Sequence, residues 1–347
     1  MNTKLYDKIL GCLTGAAIGD AMGAPTEGLS KQEIENIYGK RIEGFIQEKD
    51  NAYCYGNFLG EITDDASQMY EMAKAVADCD GNLTVDAAAK ALVRWSESYP
   101  KYYPRNAGAT TSQVIEQLKN GEDPIKLGLI GKKCGRGTTN GAAMRVAGAG
   151  LTSVGDLEKA IQNATTMCRP SHGTQHAFSG ASAIACGIAE ALKDDSTTIS
   201  IVKACVYGAK KGEEIGIKTA RKAEGLRVIN LIKTAAAEAL LADSMIDAEN
   251  RLDENIGADG SIQASIGLSI GLFLASDGDY KNVILSCANI GGDSDTNACI
   301  AGMLAGAFCG YDKLPQEWVK QFEETNKSLD LKTLAERLIQ ICERNQL

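Results

Sequence analysis

At 347 residues the chain holds enough material for one large domain or two ordinary ones. Its 44% hydrophobic and 23% charged residues are those of a soluble globular protein, and a net charge of −9 speaks against broad nucleic-acid binding or an anionic membrane surface. The start, Met1-Asn2-Thr3-Lys4-Leu5-Tyr6-Asp7, lacks a signal-peptide layout and no apolar run spans a bilayer; eleven scattered cysteines without a Cys-x-x-Cys pair read as reduced core thiols of a cytoplasmic protein.

In chain order, Leu5, Ile9, Leu10 and Leu13 form a first helical stripe, which runs into the turn-like Gly19-Asp20-Ala21-Met22-Gly23-Ala24-Pro25-Thr26-Glu27-Gly28. A carboxylate in such a turn can serve as a general acid or base, and is also an ordinary exposed loop residue. The grouped glycines of 11–28, 135–150 and 291–292 are expected to join helices and let backbone approach a ligand. Ala87, Ala88, Ala91, Leu92 and Trp95 make another stripe; Val114, Ile115 and Leu118 follow, ended by Asn120-Gly121 as by a C-cap. Cys134-Gly135-Arg136-Gly137-Thr138-Thr139-Asn140-Gly141 is a glycine loop feeding a helix, matching neither the Walker nor the dinucleotide pattern. His172 and His176 are the two histidines; Pro170 and Gly173 place the first in a loop, and hydrogen bonding outranks zinc for both. Small residues dominate 179–192 and 263–275, which predicts central, buried helices. The mixed charges of 203–233 read as a solvated helix face. Sustained strand-type alternation is missing, so the expected fold is all-α, with one domain over 1–347 favoured over two.

Two acidic clusters, Thr63-Asp64-Asp65 and Asp293-Ser294-Asp295-Thr296, offer four carboxylates and three hydroxyls. An all-oxygen set suits hard divalent cations, Mg²⁺ or Mn²⁺, better than zinc or copper. Thr, Ser and Asp are also the preferred helix N-caps, and both clusters precede helix-like runs. Neither completes a capping box, since Ala66 and Thr296 stand where Glu or Gln would be. On spacing alone both readings stand, with capping the commoner use of such residues.

Taken together, the motifs resemble the ADP-ribosylglycohydrolase family, which includes the dinitrogenase reductase activating glycohydrolases. The resemblance rests on Gly11 through Gly23 (Gly-Cys-Leu-Thr-Gly-Ala-Ala-Ile-Gly-Asp-Ala-Met-Gly), Pro25-Thr26-Glu27, Gly60-Glu61-Ile62-Thr63-Asp64-Asp65, Asn140-Gly141-Ala142-Ala143-Met144-Arg145-Val146 and Gly291-Gly292-Asp293-Ser294-Asp295-Thr296-Asn297. It implies a compact, single-domain orthogonal multi-helix bundle with a binuclear Mg²⁺ or Mn²⁺ centre. By that resemblance Thr63, Asp64, Asp65, Asp293, Asp295 and Thr296 hold two metals. Glu27 is the catalytic glutamate, with Asp295 also counted as catalytic, and Gly137, Asn140, Gly141 and His172 surround the substrate. Ala66 departs from the family, which usually has a second Thr there. The stretch 29–59, with Tyr53-Cys54-Tyr55, matches no motif and is expected to reshape the leaving-group side of the pocket.

The implied reaction is hydrolysis of a C1″ N- or O-glycosidic bond of an ADP-ribosylated protein or a small ADP-ribosyl metabolite, by a monomer or small homo-oligomer. Two rivals use the same residues: a ribosyl or nucleoside N-glycosidase acting on a small metabolite, and a non-catalytic, crystallin-like or ADP-ribose-binding protein.

Overall fold

A computed structural model describes residues 2–49, 51–131 and 136–345; Cys134 and Gly135 of the expected glycine loop lie outside the described residues. The first helices are α1 (Thr3–Gly23), α2 (Lys31–Tyr38), α3 (Asp64–Asp78), α4 (Val85–Ser98), α5 (Ala109–Lys119) and α6 (Pro124–Leu129). Next come α7 (Ala147–Leu151), α8 (Leu157–Cys168), α9 (Gln175–Ala191), α10 (Thr198–Thr219), α11 (Val228–Leu241) and α12 (Met245–Asn255). The series ends with α13 (Ile262–Ala275), α14 (Tyr280–Ile290), α15 (Ser294–Cys309), α16 (Gln316–Thr325) and α17 (Leu331–Asn345). Among the described residues there is no strand, only three isolated bridges, so the all-α expectation holds.

The stripes read from sequence fall on α1, α4 and α5, and the two small-residue segments on α9 and α13. Every residue of α9 except Glu190 is buried, as is α13 apart from Gln263 and Ala275. All ten described cysteines are free thiols, and no described helix is long and apolar enough to cross a membrane. Within 203–233, Lys203, Lys210, Lys218 and Lys222 face solvent as expected. Behind them Gly208 and Gly212 bring α10 against the backbone of Ser182 and Phe178 on α9.

The glycines of 11–28 behave differently from the expectation. Gly11, Gly15, Gly19 and Gly23 lie inside α1 at four-residue spacing, on one face. That face meets α15 antiparallel, each glycine against a carbonyl: Gly306, Gly302, Ala298 and Ser294 in turn. A Cβ added at Gly19 would sit 2.2 Å from the Ala298 oxygen, and one at Gly23 2.3 Å from that of Ser294. These glycines therefore permit helix contact at backbone distance. The helix continues to Gly23 because this packing outweighs glycine's poor propensity, and Pro25 then ends it.

The contact is testable at one atom. Gly19→Ala gains up to ~1 kcal/mol in helix propensity, yet its methyl has no room and overpacking costs about 1–3 kcal/mol. The variant should unfold at lower denaturant than the parent. An equal or higher midpoint in urea would rule out the backbone-distance contact.

Candidate metal centre and active site

The α1–α15 contact determines which groups meet. Asp20 lies on α1 one residue past Gly19, fully buried, and not in the turn that the Gly/Pro-rich run predicts. Its carboxylate accepts from the Thr63 and Ala66 amides, both at 2.9 Å, and from the Thr63 hydroxyl at 2.7 Å. Asp20 thus caps α3 from another helix. Neither cluster makes the expected side-chain cap: Thr63 and Asp293 occupy the N-cap positions of α3 and α15 without bonding the first-turn amides through their side chains. Asp64, Asp65 and Asp295 remain free for other work, each within the first turn of its helix.

Glu27 is held by a double clamp. The Thr26 and Ser294 hydroxyls converge on the Gly23 carbonyl, and the Gly28 amide donates to Gly292 O at 2.7 Å while the Gly292 amide donates back to Leu29 O at 2.8 Å. Gly291 and Gly292 take φ of 81° and 65°, and a Cβ on Gly291 would lie 2.0 Å from Leu29 O, so this turn requires glycine. On the opposite wall Asn140 donates to Asp293 Oδ2 at 2.7 Å and to Ser265 Oγ at 2.9 Å, tying the 136–142 loop to α13 and to the start of α15.

The carboxylates form two groups with ligand atoms within 4.8 Å of one another: Asp20, Asp65 and Asp295, then Glu27, Asp293 and Asp295. Among the described residues no Lys or Arg forms an ion pair with any of them. Desolvation raises the proton affinity of Asp20, Glu27, Asp64, Asp65 and Asp295 first, and for the last four repulsion from neighbouring carboxylates adds to it. Asp20 is pushed up to about 6, Glu27 to about 8 by burial and Asp293, and Asp64, Asp65 and Asp295 well above the carboxylate range. Asp65 Oδ1 is buried without a hydrogen-bond partner. Crowded, desolvated, oxygen-only ligands with an orphaned atom fit a hard divalent cation.

Glu27, Asp64, Asp65, Asp293 and Asp295 floor a cavity of about 430 Å³, and Asp20, fully buried, is not among its lining residues. Of the residues singled out from sequence, Glu27, Asp64, Asp65, Asn140, Gly141, Asp293, Asp295 and Thr296 line it. Thr63, Gly137 and His172 are not among its described lining residues. Thr63 is fully buried beneath the floor. His172 is 1% exposed, with its Nε2 2.9 Å from Thr139 Oγ1, and Thr139 is the residue that reaches the cavity.

The rim departs from expectation as well. No described residue of 29–59 lines the cavity, whereas Asn106, Gly108, Ala109, Thr110, Thr111 and Gln113 do, from the start of α5. The 29–59 stretch acts one layer back: Asn51 Nδ2 donates to Glu27 O at 2.9 Å, and Tyr53 O accepts from Asn106 at 2.7 Å. Nothing in residues 106–113 carries a motif, so only folding could place them. Asp20 had a usable signal, since the four-residue glycine spacing through Gly23 implies a helix that continues past it.

The ADP-ribosylglycohydrolase family model matches residues 1–347. Uncharacterized protein YegU of Escherichia coli K12 is 28% identical, covering 92% of this chain and 93% of its own. The ADP-ribosyl-[dinitrogen reductase] glycohydrolase of Rhodospirillum rubrum is 26% identical over 92% of each chain. Human ADP-ribosylhydrolase ARH3 is 23% identical over 93% of this chain and 92% of its own. A solved ADP-ribosylglycohydrolase-related protein complex shares the fold, with a TM-score of 0.65, 22% identity and coverage of 98% and 99%.

The proton affinities make a pH prediction. Each raised carboxyl holds its proton more tightly folded than unfolded, so above pH ~4 the folded state carries more protons and stability falls as pH rises toward 8. In chelator, the melting temperature of the wild type relative to Asp65→Asn should fall between pH 5 and pH 8. Mg²⁺ or Mn²⁺ should restore it at pH 8 and do little at pH 5. Equal cation effects at both pH values would contradict the assignment.

Proposed function

The chain belongs to the ADP-ribosylglycohydrolase family, and from that premise we propose that it hydrolyses the C1″ N- or O-glycosidic bond of an ADP-ribosyl substrate with the aid of two divalent cations, Mg²⁺ or Mn²⁺. One observation carries the reading: carboxylates from three distant parts of the chain, Glu27, Asp64 with Asp65, and Asp293 with Asp295, converge on one cavity floor, and among the described residues no Lys or Arg forms an ion pair with them. In this reading Thr63, Asp64, Asp65, Asp293, Asp295 and Thr296 are the metal ligands. Bound there, the cations supply Lewis acidity and a water acidic enough to react near neutral pH.

The remaining work falls to the chain's own groups. Asp20, by accepting the hydrogen bond of the Thr63 hydroxyl, leaves that oxygen's lone pairs as its contribution to a ligand. Glu27 lies with its carboxylate within 4.8 Å of those of Asp293 and Asp295, and its raised proton affinity suits it to give or take a proton at the scissile bond. Asn140 and Gly141 present polar backbone and amide groups to the sugar.

A second reading keeps the ribose grip and changes the leaving group. Apart from the floor cluster, the described cavity lining has no carboxylate; residues 106–113 offer amides and hydroxyls, and Arg136 is basic. A guanidinium leaving group would lack an acidic partner on this rim, so a neutral one, an O-linked hydroxyl or a nucleobase, is the better match. The substrate is then an ADP-ribosylated protein or a small ribosyl metabolite.

A substrate panel decides both points: ADP-ribosylated arginine, ADP-ribosylated serine, O-acetyl-ADP-ribose and nucleosides, each with Mg²⁺, Mn²⁺ or chelator. O-linked substrates or nucleosides should turn over faster than ADP-ribosylarginine. Loss of residues that merely support metal ligands costs about 10–100-fold, so Asp295→Ala should lose more than ~100-fold with its circular dichroism intact. Full turnover by that variant, or in excess chelator, would sink the two-cation claim.

A further inference from the structure

A buried cation lies behind the cavity, and among the described residues no carboxylate is bonded to it. Arg145 is 1% exposed. Its Nη1 donates to Gln68 Oε1, and Gln68 Nε2 donates in turn to Asp64 Oδ2 at 2.7 Å. Its Nη2 lies 3.1 Å from Ser171 Oγ and 3.2 Å from His172 Nδ1, with Ser171 Oγ also 2.8 Å from that nitrogen. The far ring nitrogen of His172 is 2.9 Å from Thr139 Oγ1. A continuous hydrogen-bonded chain therefore runs from Asp64 on the floor, through Arg145, to Thr139 on the wall.

Its direction follows from what each group can do. A guanidinium only donates, so Nδ1 of His172 must accept and the ring hydrogen sits on Nε2. Burial and the adjacent guanidinium keep this imidazole neutral by holding it well below the ordinary histidine range. Nε2–H then donates to Thr139 Oγ1, which leaves the Thr139 hydroxyl its own hydrogen to place. Among the described residues no protein acceptor takes it, and Thr139 is exposed to the cavity. The hydroxyl therefore points donor-first at whatever the cavity binds.

We propose that Thr139 is a substrate-binding residue whose hydroxyl donates to an accepting oxygen of the ligand, the kind a diphosphate presents, and that His172 and Arg145 are positioning residues that fix this direction. The inference rests on the reading of the cavity as an ADP-ribosyl site. It assigns the contact with ligand to Thr139 and puts His172 one layer behind. The same polarity reaches the floor, where the Gln68 amide is turned so that its NH₂ faces Asp64.

The test is calorimetric titration of ADP-ribose into protein loaded with Mg²⁺, beside titration of the metal alone. Thr139→Val keeps the branched shape and removes the hydroxyl; Thr139→Ser keeps the hydroxyl. Hydrogen bonds to charged groups are the stronger ones, so Val should weaken ADP-ribose binding about tenfold or more while Ser stays within about threefold. Metal affinity and melting temperature should not move in either. His172→Leu should weaken ADP-ribose binding in the wild-type background and cost little further once Thr139 is valine, because it acts through that hydroxyl. If His172→Leu unfolds, the Val and Ser pair decides alone. Wild-type binding with Thr139→Val equally tight overturns this inference and leaves the reading of the site standing. Wild-type protein that takes up Mg²⁺ and fails to bind ADP-ribose overturns both.

Discussion

The backbone contact between α1 and α15 is the constraint on which the rest depends. Four glycines on α1 meet Ser294, Ala298, Gly302 and Gly306 in antiparallel order, so the end of α1 must lie beside the start of α15. Asp20 and Glu27 are thereby delivered to Asp293 and Asp295 from more than 260 residues away in the chain. No side chain separates the helices, so the carboxylates cannot relax apart by a small shift of either one. Interiors packed this closely transmit strain instead of absorbing it.

That rigidity creates the electrostatic problem at the centre of the molecule. Carboxylates withdrawn from water, with oxygens within 4.8 Å of one another, cannot all ionise without compensation. Asp20 is compensated by the amide ends of α3, and Asp293 in part by Asn140. Asp65 and Asp295 have much less, and the charge they would carry is available to a cation. The cost of these groups to the fold is offset by protons at low pH, and in the proposed chemistry by cations near neutral pH. The opposite wall follows a quieter logic, in which Arg145 turns every neutral group around it one way.

Part of this was legible because it is local. The acidic clusters, the Glu27 turn and the 137–141 loop are contiguous runs, and helix stripes repeat within a few residues. The rest depends on pairings that no local pattern encodes. The glycines of 11–28 were legible as glycines; their role as a helix seam depends on what α15 presents opposite them. The rim at 106–113 is chemically plain, whereas the conspicuous Tyr53-Cys54-Tyr55 lies one layer behind it. The family resemblance makes His172 a contact residue, yet the side chain between it and the cavity belongs to Thr139, 33 positions away.

By itself, then, the sequence determined the helical class and which oxygen-bearing side chains were available for a cation, since these follow from composition and short-range spacing, and its ordered motifs carried the resemblance to the family. Only the tertiary structure decided what those side chains do. Whether Asp20 is a loop carboxylate or the cap of α3, and whether the two clusters cap helices or face a cavity, depends on which amides lie within 3 Å. That proximity is produced by long-range packing at backbone distance, which no spacing along one segment can express.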